Sequence, residues 1–174
     1  PALAVHGSDE LRRDFLAPAI AGDMVSCIGV TEQGSGSDVS SVKSFARKDG
    51  DDYIINGDKL YISNSMQADW MCMLCNTDED NGPHGNKTLI VVELDAPGIS
   101  RQKLKKLGLH CSDTGHIHFD DVRVPKRNRI GEEGRGFTYQ MEQFQEERLY
   151  AVARTVTFLE DALEETIDYT RQRT

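Results

Sequence analysis

Cysteine is scarce in this chain, with four in 174 residues at positions 27, 72, 75 and 111. That is too sparse for a disulfide scaffold, and the thiols read as reduced and intracellular. Positive charge is in deficit as well, with 20 Lys and Arg against 29 Asp and Glu and a net charge of −9. Neither nucleic acid nor an anionic membrane releases counterions to a surface that repels it, so neither is the expected partner. Any anionic ligand must then be held locally. No apolar run approaches the roughly 18 residues of a membrane span. The chain opens on Pro1 without Met or a charged-then-apolar leader, and a helical pattern runs to Thr174 without a capping glycine. The expectation is therefore a piece of a longer soluble protein, one domain with parts of its neighbours. No internal repeat or low-complexity segment is present.

The few candidate metal ligands are poorly placed. Cys72 and Cys75 form a C-x-x-C within Trp70-Met71-Cys72-Met73-Leu74-Cys75, which reads as a buried strand. Positions three apart on a strand face opposite sides, so core packing is expected and neither a disulfide nor a shared metal. His116 and His118 share a strand face, but nothing at a suitable spacing completes a site, and a solvent-facing pair without metal is expected.

Secondary structure is legible in order. Ser8 caps a helix over residues 3 to 16 that Pro18 and Gly22 end. From about residue 24 the pattern turns to strands. Asp49-Gly50 and Asn56-Gly57 read as hairpin turns flanking Tyr53-Ile54-Ile55 and preceding Leu60 to Ser63, which makes an antiparallel meander. Trp70 to Asn76, Thr88 to Leu94 and Gly115 to Val124 follow as strands. After a glycine-rich link at 131–136, Phe137, Met141, Phe144, Leu149, Val152, Val156, Leu159, Leu163 and Ile167 trace a helical stripe, as two helices or as one with a break near Gln145 to Arg148. The expected fold is α+β, a small antiparallel β-barrel or two-sheet domain over residues 23–130. It lies between the end of a helical domain (1–22) and the long helices that begin another (131–174).

One loop carries chemical promise: Val30-Thr31-Glu32-Gln33-Gly34-Ser35-Gly36-Ser37-Asp38. Small residues let its backbone turn tightly and present N–H groups to an anion. It lacks the P-loop lysine and is not G-x-G-x-x-G, so a phosphate-holding loop and a plain flexible turn both fit it.

The surroundings turn this loop into part of a pattern. It resembles the T-E-P-x-A/G-G-S-D signature of acyl-CoA dehydrogenases. Asn56-Gly57-Asp58-Lys59-Leu60-Tyr61-Ile62-Ser63-Asn64 resembles their N-G-x-K-x-W-I-T-N, and Leu107 to Thr114 their G-x-R-x-S-D-T. Phe119 to Pro125 is similar to F-x-D-V-x-V-P, and Glu147-Arg148 lies where an E/x-R pair begins a helix. Five motifs in the right order over about residues 20 to 174 make the resemblance specific.

The resemblance implies an FAD enzyme that oxidises the Cα–Cβ bond of an acyl-CoA thioester to a trans-2-enoyl-CoA, with hydride transfer to flavin N5. Electron-transfer flavoprotein would collect the electrons. The full-length protein would be a homo-oligomer, a tetramer or dimer, of the mitochondrial matrix or the bacterial cytoplasm. Position by position, Val30, Thr31, Gly36, Ser37, Tyr61 and Ser63 would hold FAD, and Arg173 would reach the FAD of a partner subunit. Ser37, Gln145 and Arg148 would meet CoA. Glu147 would be the base, as it precedes the Arg of the pair in the manner of isovaleryl-CoA and long-chain dehydrogenases; a plain acidic helix start accounts for it equally. Gln33 stands where the family has Pro, Tyr61 for Trp, and Gln145 for an acid, and the family's second half is missing, so turnover by this piece is not expected. A non-catalytic binding module and an acyl-CoA oxidase remain as alternatives.

Overall fold

A computed structural model describes residues 1–173. The chain divides into two compact units, Pro1–Gln140 and Met141–Thr174.

The first unit begins with α1 (Ala2–His6) and α2 (Asp9–Leu11), where Ser8 accepts the N–H of Leu11 at 3.2 Å as an N-cap. Pro18 does not end the helix, contrary to expectation. A π-helical stretch over Arg12–Leu16 widens the turn ahead of it, so Pro18 falls in the first turn of α3 (Ala17–Ala21), where a missing N–H costs little. Gly22 then closes the segment in the left-handed conformation.

Eight strands form one sheet: β1 (Ser26–Gly29), β2 (Phe45–Asp49), β3 (Asp52–Ser63), β4 (Trp70–Asn76), β5 (Lys87–Glu93), β6 (Ile99–Lys103), β7 (Thr114–Pro125) and β8 (Arg129–Ile130). The order is β6-β7-β3-β2-β4-β5-β8, with β1 paired to β4. The α+β class is as expected. The sheet is open and mixed, however: β4 takes both β1 and β2 in parallel and β5 antiparallel. β4 owes this to being apolar on both faces, with six of its seven residues buried, as expected for a strand covered on either side. Cys72 and Cys75 accordingly lie buried and form no disulfide, and burial pushes the Cys75 thiol up to about 12.

Asp49-Gly50 does turn β2 into β3. Asn56-Gly57 does not turn at all, and β3 runs through it as one twelve-residue strand with a bulge. A Cβ on Gly57, whose φ is +137°, would meet Ser44 Oγ at 2.5 Å, so glycine here serves a close crossing. The Asn56 side chain is spent on β7, donating to Asp121 Oδ1 and accepting its N–H, both at 2.9 Å. The core gathers Tyr53, Ile55, Met71, Met73, Ile90, Val92, Ile117, Phe119 and Val122 between the sheet's curved faces. Each such side chain contributes roughly 1.5–3 kcal/mol by leaving water.

A one-turn helix α4 (Gly82–Gly85) caps the β4–β5 connection, and α5 (Gly136–Gln172) runs without the expected break. No Pro or Gly occurs between Phe137 and Arg173, so nothing interrupts its hydrogen bonds. In the second unit its stripe of Leu149, Val152, Val156, Leu159, Leu163 and Ile167 is exposed. Among the described residues no helix is long and apolar enough to cross a membrane.

Candidate active site

The loop after β1 is held from beneath by a buried ion pair for which the sequence reading named no role. Lys59 comes off β3 with its side chain wholly buried. Its three ammonium protons meet three oxygens: Val30 O at 3.1 Å, Leu74 O at 2.7 Å and Glu32 Oε1 at 2.7 Å. The Glu32 carboxylate also accepts the N–H of Lys43 at 2.6 Å and of Ser44 at 3.1 Å. Burial raises the Glu32 carboxyl, but the Lys59 charge and these hydrogen bonds outweigh it and leave it below the usual carboxylate range. Burial pulls the Lys59 ammonium down against the attraction of Glu32. Glu32 and Lys59 thus face each other at 2.7 Å as a buried pair whose remaining polar atoms are hydrogen-bonded. The signal for it was in the motifs, which hold Glu32 and Lys59 at fixed places; without three-dimensional pairing a Glu and a Lys 27 residues apart carry no message.

This pair sets the loop on the strand. Thr31 O accepts the N–H of Leu60 at 2.8 Å, which brings Thr31 within one residue of Tyr61. Beyond Thr31 the chain reverses tightly, with Glu32 and Ser35 exchanging two backbone hydrogen bonds at 3.0 and 3.1 Å and Gly34 at φ +87°. The order expected from proline at position 33 is thus supplied by hydrogen bonds. Ser35 Oγ donates to Asp38 O at 2.9 Å, and Asp38 Oδ1 accepts the N–H of Ser40 at 3.0 Å. These contacts leave Gly36 and Ser37 exposed, and a Cβ at Gly36 would meet nothing within 4 Å. Open backbone of this kind fits a pyrophosphate.

Tyr61 sits at a β3 irregularity between Lys59 and Ile62 with φ +60°, and its side chain is 66% exposed. A bulky residue held left-handed stores on the order of 1–3 kcal/mol. The bulge flips the alternation so that Ile62 is buried while Tyr61 and Ser63 both face solvent. The turn that follows is fixed by Asp113, which accepts from Ser65 Oγ at 3.1 Å, Met66 N at 2.9 Å and Gln67 Nε2 at 3.2 Å. The structure therefore places Thr31 beside the end of β3 that carries Tyr61 and Ser63: a half-buried hydroxyl, an exposed aromatic ring and an exposed hydroxyl. That donor set and flat face fit an isoalloxazine.

The second unit carries the other candidates. Glu147 is half-buried beside an exposed Glu146, and its Oε1 accepts from Gln143 Nε2 at 2.8 Å. The Arg148 guanidinium lies 5.6 Å from the Phe144 ring centre, a cation–π contact in place of the surface ion pair an acidic helix start suggests. Gln145 and Arg173 are exposed.

The His116 and His118 pair is not simply solvated. Both rings meet one oxygen of Asp58, His116 Nε2 at 2.6 Å and His118 Nδ1 at 3.0 Å. Asp58 pairs with His118 across β3 and β7, 60 residues away in sequence and so invisible to any spacing rule. Among the described residues no group of three His, Cys, Asp or Glu is arranged to hold a metal ion.

Comparison with known proteins covers the whole chain. Residues 27–122 match the family described as acyl-CoA dehydrogenase, middle domain, and residues 134–174 that described as acyl-CoA dehydrogenase, C-terminal domain. The mitochondrial long-chain specific acyl-CoA dehydrogenase of Sus scrofa is 37% identical over 175 residues, covering 99% of this chain and 41% of the relative. The solved acyl-CoA dehydrogenase of Geobacillus kaustophilus superposes with a TM-score of 0.95 at 41% identity, over 100% of this chain and 46% of that one. Butyryl-CoA dehydrogenase of Megasphaera elsdenii gives 0.93 at 33% identity, over 99% of this chain and 45% of its own. The chain thus spans less than half the length of these relatives.

Proposed function

The chain belongs to the acyl-CoA dehydrogenase family, and on that premise we propose that it supplies the flavin-facing wall and part of the CoA site of an FAD-dependent enzyme that converts an acyl-CoA to its trans-2-enoyl-CoA. The observation that supports this reading is the end of β3 that presents Tyr61 and Ser63, with Thr31 hydrogen-bonded beside it and the Lys59–Glu32 pair buried beneath. When bound, the flavin supplies the hydride acceptor. The chain's own residues do the rest of the work assigned to this part. Val30 and Thr31 offer backbone and hydroxyl along the ring, Tyr61 covers it, and Ser63 hydrogen-bonds its polar edge. Gly36 and Ser37 present N–H and hydroxyl groups to the FAD pyrophosphate, and Ser37 also meets CoA.

In the helical part, Arg148 and Gln145 hold the CoA nucleotide, and Arg173 reaches the FAD of a second subunit. Glu147 takes the α proton of the thioester. Its carboxylate is already oriented by Gln143, so it needs no ordering on binding. The electrons leave to an electron-transfer flavoprotein, and the working assembly is a homo-oligomer. The test is flavin content. The full-length polypeptide containing this chain should purify yellow and retain FAD, and Tyr61→Ala should weaken FAD binding by on the order of 1 kcal/mol. A colourless protein that takes up no added FAD would overturn the reading.

A further inference from the structure

One loop of this acidic chain gathers lysines without any acid between them. Residues 96–112 contain Arg101, Lys103, Lys105, Lys106 and His110 with no Asp or Glu among them, against a net charge of −9 for the whole. The segment includes β6, which ends the sheet order and pairs only with β7. The chain leaves β6 at Leu104, whose N–H meets Thr114 O at 2.8 Å, and the intervening loop is closed on itself. Lys106 Nζ donates to Ser112 O at 2.6 Å, Ser112 N to Leu109 O at 3.0 Å, and His110 Nε2 lies 3.1 Å from Leu107 O. This is a built loop, and its root is pinned by Asp113.

At its tip the loop holds apolar side chains in water. Leu107 is fully exposed and Leu109 is 73% exposed, the latter with a φ of +52° that a branched residue seldom adopts. Beside them Lys103, Leu104, Lys105, Lys106, His110 and Ser112 line a concavity of about 490 Å³. Lys48 pairs with Glu133 and Lys59 with Glu32, and Lys87 and Lys126 are taken up by backbone carbonyls, whereas the three clustered lysines Lys103, Lys105 and Lys106 meet no carboxylate among the described residues. An apolar hollow rimmed by unneutralised ammonium groups is complementary to an apolar side chain flanked by acids.

We infer that the loop between β6 and β7 is a docking surface for a protein partner that presents acidic residues around an apolar anchor. An anionic membrane is the poorer occupant, because two leucines give little insertion and the chain as a whole repels such a surface. A second copy is poorer still, since a two-fold contact would set lysine loop against lysine loop. The inference stands apart from the flavin reading, and the loop's tether to the Asn64–Gln67 turn places an occupant beside the strand end that carries Tyr61 and Ser63.

The probe is a synthetic peptide of alternating Glu and Leu, titrated into the isotope-labelled chain and followed by amide chemical shifts. Shifts should concentrate in residues 103–112, with affinity falling about tenfold or more between about 50 and 200 mM salt. Lys103→Glu with Lys105→Glu, whose ammonium groups meet no carboxylate among the described residues, should cut affinity by a further about tenfold, and Leu107→Ser should cut it without moving the melting temperature. Equal binding of the corresponding Lys-and-Leu peptide, shifts centred outside the loop, or unchanged affinity in the charge-reversed variant would each overturn the proposal. So would binding to phosphatidylserine vesicles in preference to the peptide, or self-association that the charge reversal abolishes.

Discussion

Replacing Lys59 by Met tests whether the loop is held as described. The substitution keeps the stem's volume in the core and deletes an ammonium that satisfies Val30 O, Leu74 O and Glu32. What remains is a carboxylate 7% exposed, with only the amides of Lys43 and Ser44 for company. Breaking a buried pair from one side costs about 3–5 kcal/mol, a large share of the roughly 5–15 kcal/mol that holds a domain together. With m near 2–3 kcal/mol/M in urea, the midpoint followed by the fluorescence of buried Trp70 should fall by about 1–2 M. Adding Glu32→Gln removes the stranded charge and keeps an amide oxygen for one of the two backbone N–H groups, which the carboxylate accepts on separate oxygens, so the double variant should recover part of the loss. The pair also sets a pH dependence. Glu32 is held below its ordinary value of about 4.3, so its contribution is fully present above that pH and is lost as pH falls through the lower folded value. Lys59→Met should flatten that acid limb. A single variant within about 1 kcal/mol of the parent, or a double variant no better than the single, would refute the claim that Lys59 neutralises a buried Glu32.

Gly57→Ala drives a methyl to within 2.7 Å of the Ser44 backbone at φ +137°, and thermal melting should show a loss of about 2 kcal/mol or more. Tyr61→Gly should raise or preserve the stability of the chain by relieving the φ of +60° while lowering FAD affinity in the full-length protein, whereas a strain-free Tyr61 would lose on both counts. Arg148→Ala in the full-length enzyme should raise KM for acyl-CoA with a smaller change in kcat; an unchanged KM would confine Arg148 to its contact with Phe144. Glu147→Gln should leave FAD and acyl-CoA binding nearly intact and abolish bleaching of the flavin by substrate, and persistent bleaching would move the base to another carboxylate.

The sequence was most readable where one residue type has one structural use. Asp49-Gly50 turned as expected, and the unbroken apolar run from Trp70 to Cys75 lay buried on both faces. Asn56-Gly57 has the same look as Asp49-Gly50 but a different fate. Asn56 finds Asp121 on β7 and Gly57 finds Ser44, partners 65 and 13 residues away, and tertiary crossing overrode the turn propensity. The parallel pairings of β1 and β2 with β4 were hidden for a similar reason, since alternation reveals a face and never a neighbour's direction. For the candidate site, the motifs name Thr31, Tyr61 and Ser63, and the fold sets Thr31 beside the strand end that carries the other two. What stayed hidden was how they are held: the left-handed Tyr61, the Lys59 anchor and the Asp113 staple depend on geometry that no spacing encodes.

The four thiols partition sharply. Cys27, Cys72 and Cys75 are buried, with burial pushing Cys27 and Cys75 up to about 12, while Cys111 lies exposed on the basic loop. An alkylating reagent would consume Cys111 at once and reach the other three only when β1 and β4 part from their neighbours. Mass spectrometry of a timed labelling reaction would then count openings of the sheet's centre one sulfur at a time, with the chain supplying its own stopwatch.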